Sequence, residues 1–354
     1  MKILFDHQLF YDVYGGASKY FAMMINSLPQ GCWDTTTLLA CNEYVRAMHL
    51  FRYFPKYFRG QARLLEHINR PYTSHILSRQ KFDVFHQTNF GTYYGNSLGN
   101  KPLVITYHDA NMSTYSPRPD IVELQNQSLR RADAIIAVSN NTKKDLLTLF
   151  PFVDEKKVHV IYHGIEKIHD KPKHIKDITN NPYILYVGLR AEYKNFHRFI
   201  KAFAILSKSH PNLRLICTSM PFTTTELAKF KELEIEDKVI HVSASEELMK
   251  QLYAEALFFI YPSIYEGFGM PILEAWETRC PVCLSDTSCF PEIAGDAGLY
   301  FNPKDIDDMT AKIKLLTEDD NLRQQLISKG CSRVNLFTWQ KCANEHYKIY
   351  ESLV

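Results

Sequence analysis

Short apolar runs that end in turn residues recur along this chain, each followed by a helix-length segment. In the first half they are residues 2–5, Asp83–His86 (DVFH), Leu103–Tyr107 (LVITY), Ala134–Val138 (AIIAV) and Val158–Tyr162 (VHVIY). In the second half they are Tyr183–Val187, Leu213–Cys217, Val239–His241, Leu257–Tyr261 and Cys280–Leu284. Runs this short and this rich in β-branched and aromatic residues read as strands buried on both faces. Strands alternating with helices imply parallel α/β sheets covered by helices on both sides. A length of 354 residues is long for one core, so two domains are expected. Residues 1–165 form the first and 182–335 the second. Residues 166–181 are polar and without apolar periodicity, and read as the linker.

Composition narrows the chemistry by exclusion. The net charge of +2 gives no general drive toward nucleic acid, although residues 1–165 carry +5 and the remainder −3. The first half is therefore the expected face for an anionic partner. Met1–Asp6 reads as a strand rather than a signal peptide, and no apolar run reaches transmembrane length, so a cytoplasmic protein is expected. Eight scattered cysteines suit reduced thiols, and Cys280 and Cys283 lack the second pair a zinc site would want. Residues 46–70 hold six Lys/Arg against one acid, interleaved with Phe51, Tyr53, Phe54, Tyr57 and Phe58. Such a stretch either meets an anionic membrane surface or lipid diphosphate, or packs its rings inward as an ordinary helix pair.

Ligands of open α/β sheets bind beyond the carboxyl ends of the strands. The first half offers Gly15, Gly16, His108, Asp109, Ser139, His163 and Gly164 there; the second offers Gly188, Arg190, Lys194, Glu266 and Glu274. The stretch Tyr261–Glu292 is the most informative. A strand end leads into Glu266-Gly267-Phe268-Gly269-Met270-Pro271, and Pro271 suits the first turn of a helix carrying Glu274. Glycines beside a helix start admit an anion to free backbone N–H groups. The two flanking carboxylates would repel phosphate but accept hydrogen bonds from sugar or ribose hydroxyls. Arg190 and Lys194, on the loop after YILYVG, could neutralise a departing diphosphate. Asp305-Ile306-Asp307 matches a metal-binding D-x-D by letter, but helix capping explains it better.

The E-x7-E of EGFGMPILE resembles the signature of the GT4 family of retaining glycosyltransferases. YGGASKYF, VSNNTKKDL, VGLRAEYKNF, SDTSCFPEIAGDAGLYFNP and FTWQKCANEHYKIYESL extend the resemblance over most of the chain, whereas residues 40–100 match no such pattern. TYHD and VG-x-R-x-x-YKNF look most like bacterial mannosyltransferases that build surface polysaccharides. The resemblance implies the GT-B fold, two Rossmann-like doubly wound domains facing a central cleft, with the helix over 336–354 crossing back to the first domain.

For the site, the resemblance implies that His108 contacts the donor hexose and Glu266 holds its hydroxyls. Lys194 and Arg190 would hold the diphosphate, although Leu189 stands at the family's usual arginine position. Glu274 would take the ribose, with Gly15, Gly16, Gly188, Gly267, Phe268, Gly269 and Met270 lining the donor. His163-Gly164 resembles a turn closing the first domain. No metal and no cofactor is implied; the donor is GDP-mannose first and a UDP-hexose second. The expected acceptor is a saccharide or lipid-diphosphate-linked saccharide, at the inner face of the cytoplasmic membrane. A nucleotide-sugar epimerase and a non-catalytic binder on the same fold are the alternatives.

Overall fold

The computed structural model describes residues 1–54, 58–115, 117–168, 172 and 174–354. Lys56 and Tyr57 of the basic, aromatic stretch and most of residues 169–173 lie outside the described residues. Met1–Gly164 with Thr338–Val354 form one compact unit, and Ile165–Phe337 form the other.

The first unit holds β1 (Ile3–Phe5), β2 (Trp33–Thr35), β3 (Val84–Gln87), β4 (Leu103–Tyr107), β5 (Ala134–Ala137) and β6 (Val158–Val160). They lie in the order β2-β1-β3-β4-β5-β6, with every pair parallel. The order reverses between β1 and β3. The helix Trp339–Glu351 returns to this unit and packs on the helix Gly16–Asn26. Its buried face, with Trp339, Cys342 and Ala343, also carries polar pairs: His346 Nε2 lies 2.7 Å from Tyr20 Oη, and Tyr350 Oη lies 2.6 Å from His86 Nδ1. Gly164 is needed for a close approach rather than a turn, since a Cβ there would stand 2.1 Å from Trp339 N.

The second unit holds β7 (Tyr183–Tyr186), β8 (Arg214–Cys217), β9 (Val239–His241), β10 (Phe258–Tyr261), β11 (Val282–Ser285) and β12 (Gly298–Phe301). The order is β12-β11-β10-β7-β8-β9, again all parallel. Counted within the unit this is 3-2-1-4-5-6, the doubly wound nucleotide-binding order, with its reversal between β7 and β10. Phe196, Phe199 and Phe203, spaced along one face of the helix Phe196–Ser209, bury against Ile184, Leu215 and Ile260 of the sheet. Each such ring contributes about 2–3 kcal/mol by leaving water. Residues 174–176 of the expected linker are tied to this unit: Ile175 N donates to Gln251 Oε1 at 2.8 Å, and His174 meets Glu255 at 3.0 Å.

In the basic, aromatic stretch most of the described rings turn inward. Phe51 packs on Phe10 at 5.0 Å and Trp33 at 5.9 Å, and Tyr53 Oη donates to Glu43 at 2.5 Å. Phe58, Arg52, Arg59 and Arg63 remain exposed.

Candidate active site

A reversal of strand order opens a crevice because the loops after the two flanking strands run to opposite faces of the sheet. In the second unit those loops follow β7 and β10, and they carry most of the sequence-derived candidates. After β7, Gly188 takes a left-handed backbone (φ +111) that any other residue would adopt only under strain. Asn195, at φ +59, ends the loop and is fully buried. Its side-chain amide donates to Pro262 O at 3.1 Å and Pro303 O at 2.7 Å, fastening this loop to the one after β10. Ile264 N adds a bond to Tyr193 O at 2.8 Å.

These fastenings bring Lys194 and Glu266 together. Lys194 Nζ stands 2.6 Å from Glu266 Oε1, with the side chains 15% and 13% exposed. The ammonium lies 5.4 Å from the ring centre of Tyr261 and 5.3 Å from that of Tyr193. Burial and then the Glu266 carboxylate push the Tyr261 phenol well above its ordinary value, so it stays protonated. Gly267, Phe268 and Gly269 are buried behind Glu266. Gly269 caps the helix Met270–Glu277 at φ +90, where a Cβ would press on Ile272 at 3.1 Å and Phe290 at 3.3 Å. Pro271 occupies the first turn as expected. Glu274 is half-buried on this helix and accepts from Tyr253 Oη at 3.3 Å.

Arg190 goes elsewhere. Its side chain is 5% exposed, with Nε 2.5 Å from Glu226 Oε1 and Nη2 2.8 Å from the carbonyls of Met220 and Pro221. Burial opposes the Glu226 charge, yet Arg190 and the Thr223 groups hold its carboxyl below the usual range. Arg190 therefore staples the loops after β7 and β8. Asp305 caps its helix, accepting from Asp307 N at 2.9 Å and Asp308 N at 3.1 Å. Among the described residues no group of three or more His, Cys, Asp or Glu gathers as a metal site, and Cys280 and Cys283 are buried.

The remaining candidates belong to the first unit. His108 follows β4, its Nε2 buried without a hydrogen-bond partner among the described residues and its ring against Tyr20 at 5.0 Å and His163 at 6.1 Å. Burial, then the neighbouring His346, lower the His108 imidazole to about 4, so it is neutral near pH 7. Gly15, extended at φ −175, precedes the helix that begins at Gly16. Neither glycine has a positive φ, so no turn demands them. At the reversal between β1 and β3, which the sequence did not single out, Asp6 accepts from Thr88 N at 2.8 Å, Gln8 Nε2 at 2.5 Å and Tyr93 Oη at 3.1 Å. Sequence reasoning also passed over Tyr253, Tyr261, Glu226 and Ser288. None carries a local motif, because each acquires its meaning from a partner far along the chain.

Two doubly wound parallel sheets, with an E-x7-E pair on the loop and helix at the second sheet's switch point, define a glycosyltransferase built of two Rossmann-like units. Two family models divide the chain accordingly: "Glycosyltransferase Family 4" matches residues 14–167 and "Glycosyl transferases group 1" matches residues 164–333. The chain belongs to these glycosyltransferases. It is similar to O-antigen chain mannosyltransferase B of Escherichia coli, at 28% identity over 76% of this chain and 74% of that one. O-antigen chain mannosyltransferase RfbU of Salmonella typhimurium is 32% identical over 61% of this chain, which spans 65% of that protein's length. The structure of HepE from Anabaena in complex with UDP and glucose matches at a TM-score of 0.78 and 18% identity, covering 100% of both chains, and shows the same GT-B fold.

Proposed function

We propose that this enzyme is a retaining, metal-independent mannosyltransferase, moving mannose from GDP-mannose to a saccharide or lipid-diphosphate-linked saccharide in cell-surface polysaccharide synthesis. The observation that carries the reading is the Lys194–Glu266 contact of 2.6 Å at the switch point of the second sheet. It sets a cation for the diphosphate beside a carboxylate for sugar hydroxyls. In the reaction the bond from the anomeric carbon to the diphosphate oxygen breaks through an oxocarbenium-like state. The acceptor hydroxyl oxygen bonds to that carbon on the same face and gives its proton to the leaving phosphate. Lys194 and the backbone amides of Gly269 and Met270, at the start of their helix, stabilise the departing charge. Glu274 takes the ribose hydroxyls. Arg190 holds the loop that presents Lys194, a role that departs from direct diphosphate binding. His108, on the first unit, stays neutral near pH 7.

Mannose is favoured by the two O-antigen mannosyltransferases that the chain resembles; a UDP-hexose is the second reading, favoured by the UDP and glucose of the HepE structure. Among the described residues no helix is long and apolar enough to cross a membrane. Contact with a lipid-linked acceptor then falls to the exposed arginines of residues 46–70, at the inner face of the cytoplasmic membrane. Nucleotide release from a panel of GDP-mannose, UDP-glucose and UDP-galactose tests the donor. Release only from a UDP-hexose would displace the mannose reading, and release from none would overturn it.

A further inference from the structure

Ser288 stands at φ +58 in the turn between β11 and the helix Phe290–Ala294. An L-residue in that region costs about 1 kcal/mol that glycine avoids. Serine is nonetheless present, and its hydroxyl is used twice on one residue 22 positions away. Glu266 N donates to Ser288 Oγ at 3.1 Å, and Ser288 Oγ donates to Glu266 O at 2.7 Å. Neither bond touches the carboxylate. They hold the peptide planes on the two sides of the Glu266 Cα, which together define its φ and ψ and so the direction of its Cα–Cβ bond. The far end of the side chain is held by Lys194. The same turn is braced from behind, since Phe290 packs on Tyr261 at 4.8 Å and lies against Gly269.

We propose that Ser288 is a positioning residue for Glu266, fixing the backbone from which its carboxylate reaches the donor sugar. This rests on the role given to Glu266 above. Two substitutions separate positioning from packing. Ser288→Gly removes the hydroxyl and relieves the left-handed backbone, so a merely structural serine would leave both melting temperature and turnover near wild type. Ser288→Ala removes the hydroxyl and keeps the strain.

The donor is whichever of GDP-mannose and UDP-glucose the wild-type protein turns over, read as nucleotide release. In both variants kcat is expected to fall about tenfold with donor KM and calorimetric nucleotide affinity unchanged, the pattern of a misaligned group. The double variant Glu266→Ala/Ser288→Gly is expected to be no slower than Glu266→Ala alone. Wild-type kcat in Ser288→Gly, or losses that multiply in the double variant, would overturn the proposal. Full activity in Glu266→Ala would instead remove the role of Glu266 itself, and the positioning role with it.

Discussion

Lys194 Nζ lies 2.6 Å from Glu266 Oε1, across the loops that follow the first and fourth strands of the second sheet. A nucleotide sugar entering there would exchange this contact for two others, diphosphate on the lysine and hydroxyls on the glutamate. Lys194→Ala should cost about 2–4 kcal/mol of transition-state stabilisation, as removal of one preorganised donor does. Steady-state kinetics on the wild-type donor check it. A loss confined to KM would assign Lys194 to ground-state binding alone.

Glu274→Ala should weaken nucleotide binding about tenfold in calorimetry while leaving the choice among hexoses unchanged, because it removes acceptors for ribose hydroxyls. Tyr253→Phe, which removes only the hydroxyl that donates to Glu274, should have a smaller effect in the same direction.

Arg190 is buried with Glu226, so removing either partner leaves a charge that water reaches poorly. Arg190→Ala should destabilise the protein by about 2–4 kcal/mol in urea unfolding. Arg190→Lys should recover little of that, since one ammonium cannot serve Glu226 and the two carbonyls with the same geometry. Unchanged stability with lost turnover would return Arg190 to the diphosphate.

The first unit should be acid-sensitive. Burial holds the imidazoles of His86 and His163 well below the ordinary 6.5, and lowers those of His108 and His346 to about 4. These groups are neutral in the folded state and gain protons more readily when unfolded. Their contribution to stability is therefore complete above pH 6.5 and is lost as pH falls from there toward about 4. Burial also lowers His7, to about 3, and His159 in the same unit, whereas Asp6, raised by burial above 3.8, works with the opposite sign in the acid range. Hydrogen exchange should show the helix Trp339–Glu351, which carries His346 and the Tyr350 partner of His86, losing protection first on acidification. Flat stability between pH 7 and 5 would contradict this.

Exposed Arg52, Arg59 and Arg63 should draw the protein to anionic phosphatidylglycerol vesicles, at about 1 kcal/mol each and less at high salt. Changing all three to Glu should abolish sedimentation and leave nucleotide affinity intact. Wild-type protein that ignores such vesicles at low salt would leave this stretch to packing.

Most strands of both sheets were legible because each is a contiguous buried run. β2, with the sequence WDT, and β12, beginning with Gly298, were not: both are edge strands with mixed burial, and their pattern is weak. Lys194, Glu266 and Glu274 were legible as single residues in a motif. Their arrangement was not, because it depends on β7 pairing with β10, and strand order leaves no local mark. The Arg190–Glu226 pair was not legible for the same reason, as Glu226 lies 36 residues on. For the rings of residues 46–70 the letters left membrane contact and inward packing both open, because Phe51 finds Phe10 and Trp33 only once the sheet has formed.

The most direct test of the account is nucleotide release from GDP-mannose in EDTA, wild type beside Lys194→Ala. The expected result is release by the wild type without any divalent ion, and release at least about thirtyfold slower by the variant. Wild-type protein that is inactive in EDTA and revived by Mn²⁺, or a variant as fast as wild type, would contradict it.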